Sequence, residues 1–99
     1  MANIYSWHNK GNDYHPGVQI DMLIDRADNV ITVCEMKYAP NGYEMTAKAY
    51  ENLKIKISVL SRYMPAKKFV SPALITSNGV RRNMYSDEIH DQVTADQLF

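Results

Sequence analysis

The alternation of apolar and polar positions divides the chain into strands, then one long helix, then more strands. Asn3 to His8 reads as a short aromatic strand, and Lys10 to Gly17, dense in turn formers, reads as a loop. Val18 to Asp25 alternates, with Ile20, Met22 and Ile24 on one face and Gln19, Asp21, Leu23 and Asp25 on the other. After Arg26-Ala27-Asp28-Asn29, the β-branched run Val30 to Tyr38 reads as the returning strand of a hairpin. Its alternation sets Ile31, Val33, Glu35 and Lys37 on one side.

Pro40 and Asn41-Gly42 end that strand, because proline supplies no donor and Asn-Gly favours a turn. Glu44 to Met64 reads as a helix. Met45, Ala49, Leu53, Ile57, Leu60 and Met64 recur at steps of three or four and make one apolar stripe, and Pro65 stops it. Ile55 and Val59 fall off the stripe, which predicts a second surface against this helix from a partner chain or a further element. Lys68 to Thr76 reads as a strand whose Pro72 points to an edge or a bulge. Ser77-Asn78-Gly79 turns the chain, and Val80 to Ser86 is expected to add a short last strand before an acidic tail ending VTADQLF. The order predicts an α/β fold: a mixed β-sheet with an antiparallel hairpin or meander, followed by helix and strand.

Ninety-nine residues suit a single domain spanning 1–99, and a chain this long buries about 65% of its surface, enough for one core. No stretch approaches a membrane span and the first residues do not form a signal peptide, so a soluble protein is expected. The lone Cys34 fits a reducing compartment and points to the cytoplasm. Eleven basic and eleven acidic groups cancel, which argues against a dedicated nucleic-acid binder. Their distribution is uneven. Residues 1–47 carry three basic and six acidic groups, residues 48–82 eight basic groups against Glu51 alone, and residues 83–99 four acidic groups with nothing basic. Such a division is compatible with a polyanion-facing surface beside an acidic site, or with two solvated faces that neutralise each other.

The constellation that could do chemistry is Asp21 on one strand with Glu35 and Lys37 on the next. Glu35 and Lys37 lie two apart and so share a face. Asp21 joins them if the hairpin loop is Ala27-Asp28-Asn29, which pairs Arg26 with Val30 and sets Asp21 opposite Glu35. A two-residue loop would put Asp21 on the other face unless a bulge corrected it. Opposed carboxylates about 5 Å apart could share Mg²⁺ or Mn²⁺. A metal so held polarises a phosphodiester and activates water, and a lysine beside it steadies the developing charge.

GVQIDMLID followed by VCEMKY resembles the PD-(D/E)XK nuclease superfamily, in which an Asp and a later Glu-x-Lys lie on neighbouring strands. More narrowly, YSWHNKG, GVQIDMLIDR, NVITVCEMKYA and LITSNGVRRNMYSDEIHDQVTADQLF resemble the C-terminal nuclease-like domain of prokaryotic AAA-type ATPases. The resemblance implies a restriction-endonuclease-like core acting on DNA, with Asp21, Glu35 and Lys37 as catalytic residues. It also implies Asp21, Glu35 and the backbone carbonyl of Met36 as metal ligands. Ile20 stands where the name motif has proline, the usual helix before the first strand is missing, and no phosphate-binding loop is present. The expectation is therefore a fragment or truncated relative of an ATPase-linked protein, whose partners are DNA, the ATPase segment and a second copy covering its exposed sheet.

DNA contacts are expected from the basic segment, at Lys48, Lys54, Lys67, Lys68, Arg81 and Arg82. The same groups also read as ordinary surface charge, and Glu-x-Lys alone recurs by chance. Cys34 is expected in the core, and His8, His15 and Asp13 lack zinc spacing. Three functions follow: a metal-dependent nuclease, a DNA-binding or regulatory module without catalysis, and a self-associating structural domain.

Overall fold

The computed structural model describes residues 3–97. Their elements run β1 (Asn3–Asn9), β2 (Val18–Asp25), β3 (Val30–Lys37), β4 (Tyr43–Glu44), α1 (Ala47–Tyr63), β5 (Phe69–Thr76), β6 (Val80–Arg81) and β7 (Asp91–Thr94), with 3-10 turns at Ser86–Glu88 and Ala95–Gln97. Five strands form one mixed sheet in the order β1-β2-β3-β5-β7; its first two pairings are antiparallel and its last two parallel. Parallel neighbours need a long crossover, and α1 lies in the one from β3 to β5. The class is α/β, with a five-stranded mixed sheet and one α-helix among the described residues. No helix among them is long and apolar enough to cross a membrane.

The β2–β3 hairpin has the three-residue loop. The Arg26 N–H donates to the Val30 carbonyl at 2.9 Å, and Asn29 closes the loop with φ 65°, a left-handed conformation that asparagine tolerates. Leu23 therefore faces Val33 and Asp25 faces Ile31. The simple alternation expected for β2 fails further along. Tyr5 pairs with Leu23 but Trp7 pairs with Ile20, so Asp21 and Met22 together oppose Ser6 in a β-bulge. Ile20 and Leu23, three apart, consequently enter the same core, which an unbroken strand could not do.

That core lies between the sheet and α1. Ile20, Leu23, Ile31, Val33 and Leu74 meet Leu53 and Leu60, closed by Met45 and Ile89. The helix is shorter than the periodicity predicted. Thr46 caps it, its Oγ1 accepting from the Ala49 N–H at 3.1 Å, so Met45 is buried ahead of the first turn. Val59 is only 2% exposed within this one chain, so no partner is required to cover it.

β5 is internal, yet Pro72 costs no ladder bond toward β7. It pairs with Val33 on one side, while β7 begins opposite Ala73, leaving the other side free at Pro72. The expected last strand shrinks to Val80–Arg81, which pairs with β4 in a separate ribbon. The expected tail instead supplies β7, and its final Leu98 and Phe99 lie outside the described residues. The molecule measures 38 × 33 × 20 Å, a thickness of two layers.

Candidate functional site: a lysine-lined cleft at the fork of β2 and β3

The ladder between β2 and β3 ends at Met22 and Cys34, while β3 runs on through Glu35 and Lys37 paired with β5 alone. A bulge bends the strand that carries it, and the bulge at Asp21–Met22 sits where the two strands part. The fork opens into a cleft of about 570 Å³ roofed by the first half of α1. Glu35 and Lys37 form its floor, Thr46, Lys48, Asn52, Ile55 and Lys56 its helical wall, and Pro16 to Gln19 its far wall.

The far wall is held rigidly. Gly11 has φ +84°, and a Cβ there would stand 2.5 Å from the Gly17 nitrogen; one on Gly17 would stand 2.8 Å from the Lys10 carbonyl oxygen. Both ends of the loop are thus pinched together at glycine. His15, 7% exposed, fixes the loop to the end of α1: its Nδ1–H donates to the Pro16 carbonyl at 2.9 Å, and its Nε2 accepts from the Tyr63 hydroxyl at 2.6 Å. This histidine is a structural strut.

Lys56 dominates the electrostatics of the floor. Its ammonium donates to both Glu35 oxygens, at 3.1 and 3.2 Å, in a part-buried pair. Lys37 lies 6.0 Å from the centre of the Tyr43 ring. Burial, and after it the Glu35 charge, pushes the Tyr43 phenol above its ordinary value. The first turn of α1 holds no acidic residue and presents Lys48, so the free N–H groups of the helix start add positive potential to that of the lysine. Three lysines thus face one carboxylate.

Asp21 stands apart from this group. It is exposed, its Oδ1 accepts from Gln19 Nε2 at 3.3 Å, and it does not line the cleft. The bulge accounts for this: with Ile20 and Leu23 both turned toward α1, Asp21 shares the position of Met22, which packs on the opposite side. Of the two loop registers the sequence left open, the one that would set Asp21 opposite Glu35 is present, but the ladder ends at Met22–Cys34 and does not carry Asp21 to Glu35. Met36, whose backbone carbonyl is the third expected ligand, stands between Glu35 and Lys37 in the β3–β5 ladder, paired with Ile75. A hard divalent cation needs several oxygen donors converging on one point. Here both Glu35 oxygens are taken by Lys56, and no group of three or more His, Cys, Asp or Glu residues able to hold a metal occurs among the described residues. As placed, the donors do not fit Mg²⁺ or Mn²⁺.

Of the six basic residues expected to contact DNA, Lys48 alone opens onto the cleft. Lys54 lies over the Tyr50 ring at 5.3 Å, and Lys67 is exposed. Lys68 pairs with Asp25 at 3.0 Å and Arg82 with Asp87 at 3.1 Å, while Arg81 donates twice to the Asn41 carbonyl. Sequence reasoning missed Lys56 and Asn52. Their signal was the ridge 48-52-55/56-59 beside the apolar stripe, of which the sequence reading singled out Lys48, Ile55 and Val59 but not the two residues between. Cys34 is buried as expected, and burial raises its thiol pKa. The chain matches no family model, no curated protein and no solved structure.

Proposed function

We propose that the chain is a DNA-binding module on a restriction-endonuclease-like core, gripping backbone phosphates in the cleft between β3 and the start of α1. The observation that carries this reading is the excess of ammonium over carboxylate there. Among the described residues Lys37 and Lys48 form no ion pair, and the one acid lining the cleft, Glu35, is paired with Lys56. The strand order is compatible with the core assignment, since the resemblance implies a mixed sheet with an antiparallel hairpin or meander followed by helix and strand.

Each lysine that neutralises a phosphate steepens the salt dependence of binding by about 0.9 in log–log slope, so two free lysines give a slope near about −2. Such a grip is weak alone and suits a module that serves a larger assembly, in keeping with the ATPase partner the resemblance implies. Binding of a labelled duplex, followed by fluorescence anisotropy across a salt series, tests it. Lys37→Ala and Lys48→Ala should each flatten the slope by about one unit, and Lys54→Ala, away from the cleft, should not. Equal slopes for all three variants would refute the assignment.

A catalytic reading of the PD-(D/E)XK type rests on one favourable fact, that Glu35 and Lys37 share the cleft floor at Glu-x-Lys spacing. It requires Asp21 to move to Glu35 and Lys56 to leave it. Nicking of supercoiled DNA in Mg²⁺ or Mn²⁺, abolished by Asp21→Ala, would establish it in place of the binding reading.

A further inference from the structure

We infer that the face of the sheet turned away from α1 is the interface of a homodimer whose two copies pack back to back. The residues on this face follow from the register, because paired residues share a side. One row runs Ile4, Ile24, Thr32, Ser71; the next Met22, Cys34, Ala73, Asp91; a third Met36, Ile75, Val93; and Val30 stands beside Phe69. The middle of this surface is apolar; Thr32 and Ser71 interrupt it, Asp91 stands at one rim, and Ser6, His8, Gln19 and Asp21 make the β1–β2 corner polar.

Three observations point to a second copy as its occupant. First, Ile4, Met36 and Phe69 are 66%, 49% and 68% exposed, and all three lie on this one face. The near-continuous apolar runs of β3 and β5 are those of strands covered on both sides, whereas α1 covers only one.

Second, the charge is arranged for self-association. The five strands hold a single basic residue, Lys37, and it lies on the helix side with Asp25 and Glu35. Two copies therefore bring no ammonium groups together, and the middle of the face, Met22, Ile24, Cys34, Ala73 and Ile75, carries no charge, as an interface core does.

Third, the area is sufficient. Strands of 7, 8, 8, 8 and 4 residues, at about 3.3 Å per residue and about 4.8 Å between strands, give about 550 Å² per copy; the pair then buries about 1,100 Å², above the roughly 1,000 Å² a specific interface needs. Stacked sheets would pack about 10 Å apart and leave the two lysine clefts on opposite outer sides of the dimer.

Sedimentation equilibrium on the full chain at tens of micromolar tests this. The wild type should show twice the 11.4 kDa chain mass, and Phe69→Glu and Ile4→Glu, at exposed positions, should each return the monomer mass with an unchanged far-ultraviolet circular dichroism spectrum. A wild-type monomer would overturn the inference, since the face would then be bare or reserved for another partner. A dimer that survives both substitutions would also overturn it, by placing the contact elsewhere, for instance along the β1 edge. Because the cleft lies on the other side of the sheet, either failure leaves the DNA-binding proposal standing.

Discussion

Replacing Glu35 by Gln separates a binding cleft from a catalytic one, because the two readings move in opposite directions. Glu35 and Lys37 are two residues apart on one face of β3, about 7 Å along the strand. A phosphate held by Lys37 therefore feels the Glu35 charge at about that distance, a repulsion of about 0.6 kcal/mol in fully aqueous surroundings and more where the cleft lowers the dielectric. Glutamine keeps the shape and removes that charge, which alone gives about a threefold gain in affinity. It also releases Lys56, whose ammonium is now free to engage a phosphate and steepen the salt slope by about 0.9. Lys56 is 25% exposed and can reach water, so the loss of the pair costs about 1 kcal/mol of stability or less. Fluorescence anisotropy with a labelled duplex at several salt concentrations reads both quantities. Equal or weaker binding by the variant, with an unchanged slope, would refute the cleft electrostatics described above.

Other consequences are open to direct measurement. The Tyr43 phenol is raised by burial and by Glu35, so its neutral form is favoured in the fold. The stability it contributes is complete below the ordinary phenol value near about 10 and is lost as pH rises through the raised folded value. Glu35→Gln should lower its midpoint, followed by NMR of labelled tyrosine rings, and an unmoved midpoint would show that the carboxylate does not act on it. Thr46→Ala removes the cap of α1 and should cost about 1 kcal/mol in urea denaturation; a neutral effect would mean that water or another group satisfies the Ala49 N–H. Lys68→Met breaks the part-buried pair joining the residue just before β5 to Asp25 of β2 and should cost about 1 kcal/mol or less, without any change in DNA binding. Weakened binding in that variant would extend the interface beyond the cleft.

The β2–β3 hairpin was legible in the sequence, but its register was not: two- and three-residue loops were both open, and the structure has the three-residue loop ending at Asn29, from which the Leu23–Val33 and Asp25–Ile31 pairs follow. The bulge was not legible. Nothing in VQIDMLID distinguishes an even pleat from one in which Asp21 and Met22 share a position; the choice is made by the core, which takes both Ile20 and Leu23. That single extra residue undid the expected Asp21–Glu35 pairing and coincides with the fork that forms the cleft. Helix α1 was legible from its apolar stripe, while Lys56 was not, since its role depends on which strand lies beneath its neighbouring ridge. β7 was hidden by its brevity and its charged context. Four residues with an acidic start carry little strand signal, and the pairing arises from the exposed edge of β5 rather than from local propensity.

The central claim is that backbone phosphates seat between β3 and the start of α1. The most direct test is an NMR titration of the labelled chain with a short duplex in the presence of EDTA. Amide shifts should concentrate at Gly17–Gln19, Glu35–Lys37 and Thr46–Lys56 and fade as salt is raised. Shifts confined to Lys67, Arg81 and Arg82, or none at all, would contradict it.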